Sequence, residues 1–414
     1  MTKRNFPDWL DAYAQYSNDN FVPPQFNQWS GLSVVAGALE RKVWLPWNDT
    51  FSYYPNIFVL MVSLPGAGKS TALNKAIGIL QDMNARTSSL NIIPSQVTEA
   101  KFIDLMSAQT VFEYGTQMIY QSAGYYFASE ASNSLKNVFG DFIACLTDFY
   151  DCPPFWEKAT KKDDKITLRN VSLNLLAGST FDYLSKLVTD DNIMGGFASR
   201  LIYVVHREKL VRKQKFQLGG TNSDVTGERK AFRNKLVEDL ALIHRMSGPF
   251  VATPEFGTAW EAWYPEFEER RQSSTSEKMQ SLLVRMNTNI IKLAMIYSAS
   301  RSDDRKLTLE DWHRAQEAMT PIAKELPVIF REGKALDTSS QAGLMQALFK
   351  MCIDAGDTGL TTQELKTQLL LRNFPPHLVN STVDSFERGG QFKTISLSAA
   401  GHRVKLRANP DDHF

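Results

Sequence analysis

The sequence predicts an α/β chain: a mostly parallel sheet bearing a nucleotide loop, then a helical lid and a C-terminal winged helix. Three observations predict it. Six apolar residues, Ile57 to Val62, run into Ser63-Leu64-Pro65-Gly66-Ala67-Gly68-Lys69-Ser70-Thr71, and Ala72 to Ile77 leave that loop with helix-favouring composition. Strand-like and helix-like segments then alternate as far as Val205. Beyond residue 340, three helical segments precede two short strand segments, the order of helix, helix, helix and wing.

With 414 residues, 43% hydrophobic and 22% charged, the chain can bury a full core and suits about two or three domains. The formal net charge is +1, so contact with nucleic acid has to come from local basic patches. Cys145, Cys152 and Cys352 form no CxxC pair, which points to a reducing compartment without structural zinc. None of the six histidines stands at metal-ligand spacing, and His206 reads as a packing residue. The aromatic residues fall mostly at core spacing and give no base-stacking platform. No apolar run approaches a membrane span and the first residues lack a signal-peptide core, so the expectation is a cytoplasmic protein without a membrane partner.

Residues 1–50 read as a helical lead-in, apolar from Trp29 to Leu39, ending in a short strand over Lys42–Trp47. Residues 51–210 read as the nucleotide-binding core. In its loop, Gly66 and Gly68 let backbone N–H groups wrap a phosphate, Lys69 reaches the outer phosphates, and the Ser70 hydroxyl can ligate Mg²⁺. Pro65, Gly66, Ala67, Gly68, Lys69, Ser70 and Thr71 are therefore the candidate nucleotide contacts. Ser63 stands where the usual loop pattern starts with glycine. The alternative is a glycine-rich turn that binds no nucleotide.

Leu90–Pro94 reads as a second strand, Thr98–Ala108 as a capped helix, and Val111–Gln121 as a hairpin around Tyr114-Gly115. Gly124–Glu130 is an aromatic strand ending in a carboxylate. An NTPase needs such a group near the γ-phosphate to orient Mg²⁺ or the attacking water, and Glu130 fits; its alternative role is to complement a helix dipole. Ser129 stands where many such enzymes carry aspartate, and Asp148 and Asp151 are further candidates. Phe149–Asn170 contains a hairpin whose lysines, Lys158, Lys161, Lys162 and Lys165, either grip a phosphate backbone or form a solvated charged turn with Asp163 and Asp164.

Val171–Ala177 is a buried strand leading to Gly178-Ser179-Thr180, where Thr180 either senses the γ-phosphate or caps a helix. Gly195–Arg200 is a turn that places Arg200 at the foot of the strand Leu201–Val205. Residues 211–333 hold helical spacing over Ala231–Met246, Thr258–Arg271 and Ser281–Ser300, with a capped start at Thr308, and form a lid. Residues 341–408 are the winged helix, in which Lys393, Arg403 and Lys405 either meet DNA or leave the module free to dock protein.

Loop, strand-end glutamate, lysine-tipped hairpin, Ser-Thr strand end and Ala198-Ser199-Arg200-Leu201-Ile202-Tyr203-Val204-Val205 together resemble the AAA+ helicases of the minichromosome-maintenance type. More closely, Arg41 to Thr71 resembles a family of bacteriophage and prophage replication helicase-like P-loop ATPases. The similarity covers roughly residues 25–300. It implies an AAA+-like P-loop fold, ATP and Mg²⁺ as cofactors, Glu130 as catalytic acid, Arg200 as an arginine finger acting on a neighbouring subunit, and Arg285 as a second sensor. It further implies a homo-hexameric ring on single-stranded DNA in the bacterial host cytoplasm. A chain of this length has no room for a primase domain, so priming falls to a separate partner. Two other functions remain open: a loader or switch that assembles replication proteins without translocating, and a DNA-binding regulator with a structural nucleotide site.

Overall fold

Two apolar helices open the chain, α1 (Trp9–Ser17) and α2 (Pro24–Leu39), the first capped by Asp8, whose carboxylate accepts the backbone N–H groups of Leu10 and Asp11. Helix α2 is buried almost all round, as a helix without a polar face must be. It is thus part of the core. The computed structural model describes residues 3–18, 22–131, 141–159, 165–181, 183–184, 196–208, 223–273, 277–332, 341–355, 359–371, 374–389, 392–398 and 401–406. Among these, no helix is long and apolar enough to cross a membrane.

Strands β1 (Val43–Pro46) and β2 (Ser52–Tyr53) lead to β3 (Phe58–Ser63), the strand that the apolar run before the loop predicts. After the loop come α3 (Lys69–Thr87), β4 (Ile92–Ile93) and α4 (Glu99–Ser107), the last capped by Thr98. The hairpin of β5 (Thr110–Tyr114) and β6 (Gln117–Gln121) turns at Gly115 and precedes β7 (Ala123–Ala128) and α5 (Asp141–Tyr150). A second hairpin pairs β8 (Phe155–Lys158) with β9 (Ile166–Arg169). Strand β10 (Ser172–Ser179) runs two residues further than its apolar stretch, taking Gly178 and Ser179 into the sheet. The short helix α6 (Phe197–Arg200) passes directly into β11 (Leu201–His206).

Five of these strands form one parallel sheet in the order β11-β3-β10-β7-β4. From β3 the chain crosses by α3 to the far strand β4, whereas from β10 it returns past β3 to β11. Right-handed crossovers in opposite directions must leave on opposite faces, and they do. Helix α3 packs with α2 on the face bearing Ile57, Val59 and Met61, while Phe197 and Ala198 pack on the face bearing Phe58, Leu60 and Val62. A crevice consequently opens between the carboxyl ends of β3 and β10, the place where open parallel sheets take ligands.

Helices α7 (Ser223–His244), α8 (Pro254–Gln272), α9 (Glu277–Arg301) and α10 (Leu309–Glu332) follow, with the two-residue strands β12 (Gly248–Pro249), β13 (Val251–Ala252) and β14 (Lys306–Leu307) between them. Leu236 and Leu240 of α7 and Leu293 and Ile296 of α9 enter the same core as α1, α2 and α3. The expected lead-in, core and lid therefore lie in one compact unit, Met1–Arg331, and Glu332–Phe414 form a second. The second unit contains α11 (Gln341–Ala355), β15 (Leu360–Thr361), α12 (Thr362–Leu371), α13 (Pro376–Arg388), β16 (Phe392–Ser398) and β17 (Gly401–Leu406). Its antiparallel sheet has the order β15-β17-β16, so a short strand joins the two that the sequence predicts. Leu348, Leu365, Val383 and Phe386 lie in its own apolar core.

Candidate functional site

The loop leaves β3 at the crevice. Gly66 and Gly68 take φ of +83° and +79°, the left-handed region that a side chain disfavours, and this turns successive peptide groups into a concave stretch. Gly68 then starts α3, whose first turn receives no side-chain cap. That end therefore offers backbone donors and the positive end of the helix dipole. Pro65 and Gly66 are exposed, Ala67 and Gly68 are buried beneath the turn, and Ser70 and Thr71 are exposed on the first helical turn. Ser63, where the usual loop pattern has glycine, is the last residue of β3, and its hydroxyl donates to the Leu64 carbonyl at 3.2 Å.

Lys69 is only 7% exposed, and its ammonium donates to the backbone carbonyl of Ser179 at the end of β10. Burial pushes its pKa below the ordinary lysine value, while the Glu130 carboxylate acts in the opposite direction. Glu130 lies just past β7, two strands from β3, so about 10 Å of sheet separates it from the loop strand at the usual strand spacing. Gly178 lets its neighbours approach closely. A Cβ there would stand 2.7 Å from the Ser129 carbonyl oxygen, 2.9 Å from Leu73 Cδ1 and 3.1 Å from Lys69 Cδ. Thr180, half-buried beyond Ser179, accepts the Leu184 N–H on its carbonyl at 2.9 Å, so its backbone begins a helical turn as the capping alternative requires.

Arg200 and Arg285 lie elsewhere. Leu201 is in register with Phe58, the first residue of β3, which puts Arg200 at the amino edge of the sheet. Six residues of strand, roughly 17–20 Å, separate that edge from Ser63, beyond the reach of one arginine side chain. Arg200 is buried; one terminal nitrogen donates to the Gly196 carbonyl at 2.9 Å and the other to Asp151. Arg285, on α9, donates to the other oxygen of Asp151 at 3.1 Å. Arg285 accordingly stands beside Arg200 and away from its own subunit's loop. Asp151 is likewise removed from Lys69 and is no rival to Glu130. Asp148 accepts the Trp156 indole N–H at 3.0 Å.

On the second hairpin, Lys158 pairs with Glu99, and Lys165 pairs with Glu157 at 2.8 Å. Lys161 and Lys162 lie outside the described residues. Among the described residues no group of three or more His, Cys, Asp and Glu is arranged to hold a metal ion. His206 packs its ring edge-on against Phe26 at 6.0 Å. No protein-family model matches this chain, and no curated protein is significantly similar to it.

Three contributors to these sites escape a reading of the sequence. Gly178 stands out there only as a neighbour of two hydroxyls, because the space it leaves depends on Ser129 and Leu73, remote in the chain. Asp151 reads as a spare acid, since its partners are 49 and 134 residues away. Lys292, buried within α9, donates to Asn56 Oδ1 at 2.8 Å just ahead of β3. A lysine amid the apolar run Ile290–Ala294 is the one signal that could have marked it.

Proposed function

We propose that the chain is an ATPase, and specifically a phage or prophage replication helicase of the AAA+ type that moves single-stranded DNA through a homo-oligomeric ring. The observation that carries this is the desolvated Lys69, held on the Ser179 carbonyl beside an uncapped helix start, with the Glu130 carboxylate near enough to favour its charge. ATP fits there on the chemistry of the donors. Lys69 exchanges a carbonyl for the outer phosphates, the backbone N–H groups of Gly66–Ser70 take the remaining oxygens, and Glu130 orients the attacking water. Magnesium bound with the nucleotide would neutralise phosphate charge, and Ser70 and Glu130 are the residues that would hold it.

Because Arg200 lies beyond the reach of its own loop, any part it plays in hydrolysis is on a neighbouring subunit. That supports a composite site in a ring, most simply a hexamer. The three helices and antiparallel sheet of Glu332–Phe414 suit a winged helix that assists DNA binding. A loader or switch that assembles a primase or other replication proteins is the second reading. One observation favours it: the two described hairpin lysines are both paired with carboxylates, which lowers the charge left for a DNA backbone.

Turnover of ATP by the purified chain, measured with and without single-stranded DNA, separates these. The expected result is DNA-stimulated turnover that falls about 100-fold or more in Lys69→Ala. Turnover indifferent to DNA and dependent on a second protein would establish the loader, and DNA binding without turnover the regulator.

A further inference from the structure

At the amino edge of the sheet three cations gather on one aromatic ring. Arg200 and Arg285 each stand 5.7 Å from the centre of the Tyr150 ring, and the Lys292 ammonium stands 3.9 Å from it. The Tyr150 hydroxyl donates to Asn289 Oδ1 at 2.8 Å, which fixes the ring. Asp151 is the carboxylate that both arginines share, so the group retains a surplus of positive charge. Within it the Arg200 guanidinium is folded onto its own subunit: Nη1 on Gly196, Nη2 on Asp151, and Nε buried without a partner. The Arg200 side chain is 9% exposed and that of Asp151 45%, so an incoming group meets the carboxylate first.

We infer that Asp151 is a clasp: it holds Arg200 and Arg285 against their own subunit and yields both to the outer phosphates of the nucleotide bound by the next one. This rests on the composite site proposed above and adds the residue that decides when that site is complete. A terminal phosphate carries more charge than a carboxylate and offers three oxygens to the fork of each guanidinium, so it competes successfully once assembly brings it within reach. Until then the shared carboxylate occupies the same donors. In this role Asp151 acts through the two arginines and not on the nucleotide or the attacking water, so it is a positioning residue. The exchange breaks two ion pairs and forms two, with no covalent step.

The test is ATPase rate against protein concentration for the full chain, alongside nucleotide affinity at a concentration too low for assembly. Asp151→Asn keeps the shape and removes the charge. It is expected to lower the protein concentration at half-maximal turnover about fivefold, with the saturating rate within about twofold of the parent and nucleotide affinity unchanged, because the loop lies at the other edge of the sheet. Asp151→Glu, which restores a carboxylate, should return the parental concentration dependence. A merely structural role would not produce activity at lower concentration. If Asp151→Asn is poorly folded, Asp151→Ser is read in the same way.

An unchanged or raised half-activation concentration in a folded variant, or a tenfold drop in saturating rate, overturns the clasp. Arg200→Ala distinguishes the underlying reading. If it abolishes turnover, and mixing with Glu130→Ala restores part of it, the composite site stands and the clasp is judged on Asp151 alone. If Arg200→Ala turns over normally, the composite site and the clasp fall together.

Discussion

Gly178 shows how little of a site a single residue can reveal. Its role is an absence: the missing Cβ lets the Ser129 carbonyl, the Leu73 side chain and the Lys69 stem converge at the crevice. The contact at 2.7 Å is with backbone, which cannot rotate away, so strand ends must shift to admit even a methyl group. Gly178→Ala is expected to destabilise the protein by about 1–3 kcal/mol and to weaken nucleotide binding about tenfold by displacing Lys69. A urea titration and a nucleotide titration measure the two effects. Parental values in both would show that the crevice has slack which the close approach conceals. Lys69 and Glu130, by contrast, are legible from the chain, because loop spacing and a carboxylate at a strand end are local patterns. Arg200 is legible as a residue at the foot of a strand, but its burial and the identity of its partner, Asp151, are not.

At the scale of elements, α9 shows the difference between an expected helix and its function. Its spacing predicts a helix, and a helix is what Glu277–Arg301 form. Only packing shows that it carries Arg285 and Lys292 to the amino edge of the sheet. Full burial, with Arg285 and Arg200 nearby, brings Lys292 down to about 8 from an ordinary 10.5. Below about pH 8 the ammonium is charged in both folded and unfolded chains, and the folded state bears its full desolvation cost. Between about 8 and 10.5 the folded chain releases the proton while the unfolded chain keeps it, so stability rises with pH across that window. Lys292→Met should remove that contribution. Relative to the variant, the parent is expected to gain about 2 kcal/mol in unfolding free energy from about pH 7.5 to 9.5, read from urea midpoints at each pH. Equal slopes for both would mean that the ammonium is solvated.

For the whole molecule, three segments that the sequence separates share one core, whereas the last 83 residues keep their own. Cut at this boundary, Met1–Arg331 should unfold cooperatively and bind nucleotide within about twofold of the full chain, and the remainder should fold by itself. Circular dichroism melts and a nucleotide titration of the two fragments check this. Loss of nucleotide binding from the larger fragment would make the second unit part of the site. By itself the sequence determined the alternation of strands and helices, the glycine-rich loop between β3 and α3, and the place of Glu130 just past a strand, because each is written in residues near one another in the chain. Only the tertiary structure decided the order β11-β3-β10-β7-β4, the close approach that Gly178 permits, and the gathering of Arg200, Arg285 and Lys292 around Tyr150 and Asp151. These depend on side chains from remote segments meeting in a close-packed interior, where the neighbours of each group are set by topology and not by spacing along the chain.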